Sequence, residues 1–315
     1  MRSLRLIAAL TLLASAAFAQ EVPRVEETVS VGYVMIPFTV LSEHGVPITD
    51  LHRGEVRLLV DGKRVPSDMF EKSQNAPVSF TILLDASGSM ALAGKMDAAR
   101  AAIGALIAHR RPGDDFALFV FAESEAREVV PFTENPAEIT KALADVTPYG
   151  KTAFFDALST MPERSLLGKN PTRAIILLSD GIDNASKLTR SDLAAMLQGE
   201  SVPIYPLGIR DPNEMPKGQQ HSKEELSDLE LLDAVAGLTG GKMYLGNEPQ
   251  EIALAVAALE KDLRAQYLIG FTPTGQGGVK YRRISLQLAS RVHGVRVRAG
   301  YFGTEPPLGR ERKKS

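Results

Sequence analysis

Two mainly apolar runs constrain the fold of this chain more than any other feature of its sequence. They cover residues 78–84 and 173–179. Strands of this kind are typical of parallel sheets, in which crossover helices cover both faces. Helix-like stretches alternate with further strands between residues 77 and 265, so we predict an α/β domain there, with a mainly parallel sheet and helices on both faces.

The alternation predicts individual elements within this central region. Predicted helices cover 95–109, 135–145, 152–161, 191–198, 229–238 and 248–264, and predicted strands cover 78–84, 114–121, 173–179, 202–209 and 242–245. Ser191 is the predicted N-cap of its helix. The prolines within residues 202–209 favour a position towards the edge of the sheet. The polar stretch 211–227 lacks periodicity and is predicted to be an exposed, mobile loop.

Short strands dominate the two flanks of the central region. Residues 20–76 hold strand-like runs and an Asp61-Gly62 hairpin turn, and residues 266–305 hold alternating runs with arginines on one face. Neither flank is large enough to bury a good core alone. We therefore predict that both flanks pack together as one small antiparallel β-domain, into which the central domain, residues 77–265, is inserted.

The first residues have the order of a secretory signal peptide. Arg2 and Arg5 precede an apolar core at 6–13, and Ala17-Phe18-Ala19 supplies the small residues of a cleavage site. We predict a signal peptide over residues 1–19 and an exported protein, periplasmic or extracellular, without a membrane span in its mature form. An uncleaved anchor is the alternative, which the short apolar core disfavours.

Composition excludes several classes of function. The chain has no cysteine, which rules out thiolate zinc sites, cysteine nucleophiles and disulfides. Without Arg2 and Arg5 the balance would be 34 basic to 38 acidic residues, which gives no reason to expect nucleic-acid binding. The basic tail at 306–315 is predicted to be a solvated, flexible terminus.

Polar residues follow the two apolar runs at the points where these strands end. Asp85-Ala86-Ser87-Gly88-Ser89 follows the first run, and Asp180-Gly181 follows the second, while Gly150-Lys151-Thr152 forms a loop before a helix. The carboxyl ends of parallel strands meet at one edge, where ligands bind. Hard oxygen donors there are the ligands that Mg²⁺ prefers. The candidate metal ligands are Asp85, Ser87, Ser89, Thr152 and Asp180.

Only two of these five ligands carry a charge, and a divalent ion would be poorly neutralised if one of the two acids bound it through a water. We expect such an ion, Mg²⁺ or alternatively Mn²⁺ or Ca²⁺, to attract a further carboxylate in place of a water. A partner protein would supply it from an Asp or Glu. The metal would then act as a bridge between the two proteins.

This ligand set resembles the metal-ion-dependent adhesion site of the von Willebrand factor type A domain. That motif has Asp-x-Ser-x-Ser, then a distant Thr, then a distant Asp before Gly, and the order here is the same. The resemblance covers about residues 77–265 and implies a Rossmann-like sheet with the ion at its carboxyl edge. The strand-rich flanks and the ending Gly300-Tyr301-Phe302 are similar to those of bacterial exported proteins related to this family.

The resemblance implies a non-enzymatic adhesion or scaffolding module that captures a protein ligand. It departs from the motif at Lys151, where Gly often stands. We expect the Lys151 ammonium near the ion, where it would lower metal affinity or attract an acidic ligand. In relatives, the last helix of the domain sometimes shifts when the ion is engaged, and here that helix is the one predicted at 248–264.

Other interpretations of the same residues stay open. Ser87, Ser89 and Asp180 would only cap helices if they bound no metal. A structural module for envelope assembly would use the metal to stabilise its loops alone. A metal-dependent hydrolase is less favoured, because no histidine has the spacing of a metal site or triad and the serines lack a Gly-x-Ser-x-Gly context. Asp183 and Asn184 are predicted to support the site or its turn.

Overall fold

The computed structural model describes residues 32–210, 223–246, 248–273, 278–288, 294–304 and 306. The predicted signal peptide and all but one residue of the predicted basic tail lie outside the described residues. The described residues belong to one compact unit. Within them, no helix is both long and apolar enough to cross a lipid bilayer.

Fourteen strands form three sheets in the described part of the chain. In chain order they are β1 (Val34–Leu41), β2 (Val56–Val60), β3 (Lys63–Val65), β4 (Met69–Lys72), β5 (Val78–Asp85), β6 (Asp115–Phe121), β7 (Arg127–Thr133), β8 (Thr172–Ser179), β9 (Ile204–Ile209), β10 (Tyr244–Gly246), β11 (Tyr267–Phe271), β12 (Lys280–Leu288), β13 (Gly294–Val297) and β14 (Gly300–Gly303).

Seven α-helices connect these strands in the same described residues. They are α1 (Lys95–Ala108), α2 (Pro136–Ala144), α3 (Phe154–Ser159), α4 (Met161–Ser165), α5 (Arg190–Leu197), α6 (Lys223–Thr239) and α7 (Pro249–Arg264). Short 3-10 turns precede β2, β5 and α1.

The central sheet has six strands in the order β10-β9-β8-β5-β6-β7. Its neighbouring strands are parallel, except that β7 runs antiparallel to β6. All eight residues of β5, in the interior of the sheet, are buried. The predicted mainly parallel sheet is therefore confirmed, and burial on both faces explains why β5 and β8 are mostly apolar.

Helices cover both faces of this sheet, also as predicted. Successive residues of a strand point to opposite faces. Accordingly Ile176 of β8 packs in one apolar core with Ile103 of α1, whereas Leu177 packs in a second core with Phe154 of α3. Phe80 and Phe116 stack on the first face with ring centroids 4.9 Å apart.

The register of the central strands fixes where their polar ends lie. Leu84 of β5 pairs with Leu178 of β8, and Asp85 pairs with Phe121 of β6. β5 and β8 therefore end at the same level of the sheet. The polar residues that follow these two strands leave from neighbouring strand ends at the carboxyl edge.

The two flanks form two antiparallel sheets, with the orders β13-β1-β11-β4 and β14-β12-β2-β3. Each sheet joins strands from both ends of the chain, since β1 pairs with β11 and β2 with β12. One apolar core includes residues of both sheets. In it the Tyr267 ring stacks with those of Phe38 and Phe70, at centroid distances of 5.5 and 5.6 Å, and the two phenylalanine rings are 6.4 Å apart. The predicted antiparallel β-domain from both flanks is confirmed.

The starts of α5 and α6 differ from the prediction, and the helix predicted over 152–161 is instead two helices, α3 and α4. The N-cap of α5 is Thr189 rather than Ser191, because Thr189 forms a reciprocal capping box with Asp192. Helix α6 begins at Lys223, so the loop predicted over 211–227 is wrong over its last five residues. The rest of that predicted loop, residues 211–222, lies outside the described residues.

The predicted edge position of residues 202–209 is wrong, because β9 lies between β8 and β10. Pro206 pairs opposite Leu177 of β8, whereas pairing with β10 begins at Leu207. The proline ring therefore lies beyond the end of β10. Its missing N–H removes no hydrogen bond to that neighbour.

A buried ion pair anchors the end of α7 at the amino edge of the central sheet. Arg264 Nη2 lies 2.5 Å from Asp114 Oδ2, and Arg264 Nη1 donates to the Ala76 carbonyl at 3.0 Å. Asp114 also accepts from the main-chain N–H groups of Val78 and Arg111, at 2.8 Å each. A shift of α7 along its axis would have to break this network.

Candidate metal centre

Asp85 ends β5 and is fully buried at the carboxyl edge of the central sheet. Its Oδ1 accepts the main-chain N–H of Ser87 at 2.9 Å, and its Oδ2 accepts the hydroxyl of Ser179 at 2.6 Å. Ser179 is the last residue of the neighbouring strand β8. The register between the two strands therefore helps to orient the carboxylate.

The serine hydroxyls of the Asp-x-Ser-x-Ser segment lie side by side. Ser87 Oγ is 3.1 Å from Ser89 Oγ. Ser87 precedes a 3-10 turn over Gly88–Ala91, but its side chain makes no capping hydrogen bond, and α1 begins only after Gly94. The alternative that Ser87 serves as a helix cap is therefore wrong.

Asp180 directly follows β8 and is 5% exposed. Its Oδ1 accepts the N–H of Ile182 at 3.4 Å, which belongs to a local turn. The next helix, α5, is capped by Thr189, so Asp180 does not act as its cap. The other oxygen, Oδ2, accepts a hydrogen bond from the Lys95 ammonium at 3.1 Å.

Thr152 is buried, and its loop packs directly against the serine segment. The Gly88 N–H donates to the Gly150 carbonyl at 3.0 Å, and the Tyr149 N–H donates to the Ala86 carbonyl at 2.8 Å. A Cβ on Gly88 would lie 2.9 Å from that Gly150 oxygen. Only glycine therefore fits between the two serines without moving the Thr152 loop.

Asp183 and Asn184 support the Thr152 loop. Asn184 Oδ1 accepts the Thr152 N–H at 2.8 Å, and the Thr152 carbonyl accepts the N–H groups of Asn184 and Ala185 at 3.0 Å. Asp183 Oδ1 accepts the Phe154 N–H at 2.8 Å, at the first turn of α3. These contacts give both side chains the supporting role that the sequence predicts.

Two buried carboxylates, those of Asp85 and Asp180, determine the electrostatics of the site. Burial, and next the charge of Asp180, raise the pKa of Asp85 to about 6, although hydrogen bonds from Ser179 and Ser87 oppose the rise. The charged form of Asp85 is therefore disfavoured, and a nearby cation would favour it.

The donor set suits a hard divalent cation. In the described residues, no group of three or more His, Cys, Asp and Glu side chains is placed to hold a metal ion. The predicted ligands are hydroxyl and carboxylate oxygens, which fit Mg²⁺. Hydrogen bonds connect Asp85 to Ser87 and Ser87 to Ser89. Asp180 interacts electrostatically with Asp85. The loop that carries Thr152 packs against the serine segment through main-chain hydrogen bonds.

Sequence reasoning missed two residues of this site. Ser179, which holds Asp85, was assigned only to its strand. Lys95, the first residue of α1, is 5% exposed and forms a buried ion pair with Asp180. A lysine in the first turn of a helix opposes the helix dipole, so its position was a signal that an acid lies nearby.

A family model described as von Willebrand factor type A domain matches residues 80–182 of this chain. An uncharacterized protein of Borreliella burgdorferi is 26% identical over 207 residues. That alignment covers 59% of this chain and 59% of the relative, so this chain spans a little over half of the relative's length.

Solved structures with a related fold come from several organisms. An aerotolerance-related membrane protein from Bacteroides fragilis is 20% identical, with a TM-score of 0.44, over 59% of this chain and 98% of that one. A von Willebrand factor type A protein from Catenulispora acidiphila is 17% identical, with a TM-score of 0.46, over 87% and 73%. Proximal thread matrix protein 1 from mussel byssus, with zinc in its metal-ion-dependent adhesion site (MIDAS) motif, is 20% identical, with a TM-score of 0.46. That match covers 62% of this chain and 50% of the mussel chain.

The segment matched by the family model contains all five predicted ligands, and it runs from β5 to just past the end of β8. The observed topology agrees with the fold that the sequence resemblance implied. The match therefore indicates a von Willebrand factor type A domain that includes residues 80–182, and the central sheet has the fold expected of that domain.

Proposed function

We propose that this protein is an exported, non-enzymatic adhesion or scaffolding module, which captures an acidic side chain of a partner protein through a divalent cation. Mg²⁺ is the expected ion, with Mn²⁺ or Ca²⁺ as alternatives. The observation that carries the proposal is the fully buried Asp85 carboxylate, which lies at the carboxyl edge beside two serine hydroxyls and a second buried acid. The proposed ligands are Asp85, Ser87, Ser89, Thr152 and Asp180.

The protein's own residues orient and desolvate the site. Ser179 and the Ser87 N–H hold the Asp85 carboxylate, and Asn184 holds the loop that carries Thr152. Burial of these groups strengthens their attraction for a cation. A bound divalent ion would accept a partner's carboxylate in place of a water.

The hydroxyl arrangement favours binding over catalysis. A nucleophilic serine is activated by a base within hydrogen-bonding reach. Here the Ser87 hydroxyl is 3.1 Å from the Ser89 hydroxyl and also hydrogen-bonds the Asp85 carboxylate, which accepts from Ser179 and from a main-chain N–H as well. A carboxylate that is shared among several donors is not directed at one nucleophile, which supports a role for the serines as ligands.

Calorimetry and capture together test the proposal. Metal-free protein should bind one Mg²⁺, and immobilised protein should retain an envelope protein in Mg²⁺ but not in EDTA. Free acetate should compete, because it offers the same carboxylate. Asp85→Ala should lose both activities, whereas Asp145→Asn, which changes an exposed acid after α2, should keep both.

Two outcomes would contradict the proposal. If the protein bound no divalent ion at millimolar concentration, the metal site would be wrong. If Asp85→Ala kept its partner while its thermal stability fell, the metal would only stabilise the loops. The protein would then be the structural envelope module that the sequence also allows.

A further inference from the structure

Lys95 brings a third charge into the candidate metal centre. Its ammonium lies 3.1 Å from Asp180 Oδ2, and the two side chains are only 5% and 4% exposed. Lys95 is the first residue of α1, and the preceding cap residue, Gly94, has no side chain that could satisfy the helix end. A cation at this end of a helix is disfavoured, so Asp180 is the contact that stabilises Lys95 there.

The charges of the site can be counted from these residues. Ionised Asp85 and Asp180 contribute two negative charges, and Lys95 contributes one positive charge, which leaves a net charge of about −1. A divalent ion would change this to about +1. Without Lys95 the loaded site would be neutral. An acidic partner gains more from a site that is still positive.

We propose that Lys95 is a fixed cation of the metal centre, which weakens the hold on the divalent ion and keeps the loaded site positive for an incoming carboxylate. This inference rests on the proposed function. Because Lys95 is buried, water and salt screen its charge little. Its effect on an ion bound between Asp85 and Asp180 is therefore expected to be large.

Lys151 provides a matched comparison within the same site. It is also a lysine, and it precedes the predicted ligand Thr152, but it is exposed. Its main-chain N–H donates to Glu123 Oε1 at 3.2 Å. The charge of an exposed ammonium is screened by water and salt, so Lys151 should affect metal binding far less than Lys95 does.

Calorimetric titration of Mg²⁺ into metal-free protein tests the proposal. Lys95→Met should bind Mg²⁺ about tenfold more tightly than the natural protein or better, since a nearby buried positive charge is lost. Lys95→Gln should shift the same way, and it retains a hydrogen-bond donor for Asp180 if the methionine variant folds poorly. Lys151→Met should change the affinity by less than about threefold.

Thermal unfolding gives a second readout that does not depend on any partner. In EDTA, both Lys95 variants should melt below the natural protein, because Asp180 then faces Asp85 without a counter-charge. Added Mg²⁺ should raise their melting temperature by more than it raises that of the natural protein, because tighter binding to the folded state stabilises it more. Mn²⁺ should likewise raise the melting temperature of the Lys95 variants by more than it raises that of the natural protein.

The outcomes separate this inference from the proposed function. If the natural protein binds Mg²⁺ and the Lys95 variants bind it equally or more weakly, the fixed-cation role is overturned and the proposed function stands. If Lys151→Met matches Lys95→Met, the effect is not specific to the buried lysine, and the inference is again overturned. If neither the natural protein nor the Lys95 variants bind Mg²⁺, both proposals fail.

Discussion

Each edge of the central sheet holds a buried ion pair, and the two pairs are built differently. At the amino edge, Arg264 makes two contacts with Asp114, donates to a main-chain carbonyl and lies 5.9 Å over the Phe80 ring. At the carboxyl edge, Lys95 meets Asp180 through one contact of 3.1 Å. The planar guanidinium suits a fixed, bidentate pair, whereas an ammonium is a point charge that can exchange partners.

Asp114 and Asp180 also differ in how many main-chain hydrogen bonds they accept. Asp114 accepts two further main-chain N–H groups at 2.8 Å, so its oxygens are well satisfied. Asp180 accepts one further N–H, from Ile182, at 3.4 Å. The comparison shows that the acid at the amino edge is more fully hydrogen-bonded than the acid at the carboxyl edge.

Arg264→Met should give the largest loss of stability. It leaves the Asp114 charge buried without its partner, which typically costs about 3–5 kcal/mol of unfolding free energy. Urea denaturation measures the loss. The loss of unfolding free energy for Arg264→Lys should lie between zero and the loss for Arg264→Met, because lysine keeps the charge but not the two-point contact. A loss below about 1 kcal/mol for Arg264→Met would remove the contrast between the edges.

Asp85→Asn should separate binding from stability at the carboxyl edge. Mg²⁺ should no longer stabilise the variant, since a charged ligand is gone. In EDTA at pH 7 the variant should gain about 1–2 kcal/mol, because the raised pKa of Asp85 makes its ionised form unfavourable in the fold. Asparagine can keep both hydrogen bonds, since the Ser179 hydroxyl can also accept.

The pH dependence of the unfolding free energy, measured for the natural protein and for Asp85→Asn, tests the direction of this stability change. The Asp85 pKa of about 6 in the folded state lies above the unfolded value, so metal-free natural protein should lose stability as pH rises from about 4 to 6. The gain from Asp85→Asn should therefore vanish near pH 4. A variant that is less stable than the natural protein in EDTA at pH 7 would show that Asp85 is mainly structural.

Gly88→Ala tests how closely the loops at the carboxyl edge fit. Its Cβ would lie 2.9 Å from the Gly150 carbonyl, so the Thr152 loop must move. We expect a loss of about 1–2 kcal/mol and weaker Mg²⁺ binding. Gly104→Ala, on α1 with nothing within 4 Å of the new Cβ, should instead gain about 0.5–1 kcal/mol. Equal effects of the two changes would contradict the close fit.

Glu134→Gln should give the smallest effect. Glu134 pairs with Lys169 on the surface, where the two side chains are 63% and 45% exposed. Surface ion pairs contribute little, so denaturation should show a change of about 0.5 kcal/mol or less. A loss as large as that of Arg264→Met would mean that burial does not decide how much an ion pair contributes to the stability of this protein.

The sequence predicted the parallel sheet well because apolar runs report burial directly. The runs at 78–84 and 173–179 appear as β5 and β8, and the helix predicted over 95–109 appears as α1. The N-cap of α5 was misplaced because the capping box of Thr189 and Asp192 was overlooked. The position of β9 was misjudged because proline excludes a hydrogen bond on one side only, and the sequence does not show which side is paired.

The sequence predicts the candidate ligands but not the ion pair beside them. Asp85 and Asp180 are predicted ligands because each follows an apolar strand. The Lys95–Asp180 pair spans 85 residues of sequence, and no local pattern reports such a contact. The helix dipole indicates only that some acid should be close to Lys95. Which acid it meets depends on the register of β5 and β8.

The chain enters and leaves the central domain through two neighbouring strands. β4 precedes that domain and β11 follows it, and Lys72 pairs with Tyr267 where they meet. Only Ala265 and Gln266 separate α7 from β11. A pulling force applied between the two flanks is therefore carried by the β-domain and bypasses the central domain. The proposed partner-binding site would therefore bear none of this force until β4 and β11 separate.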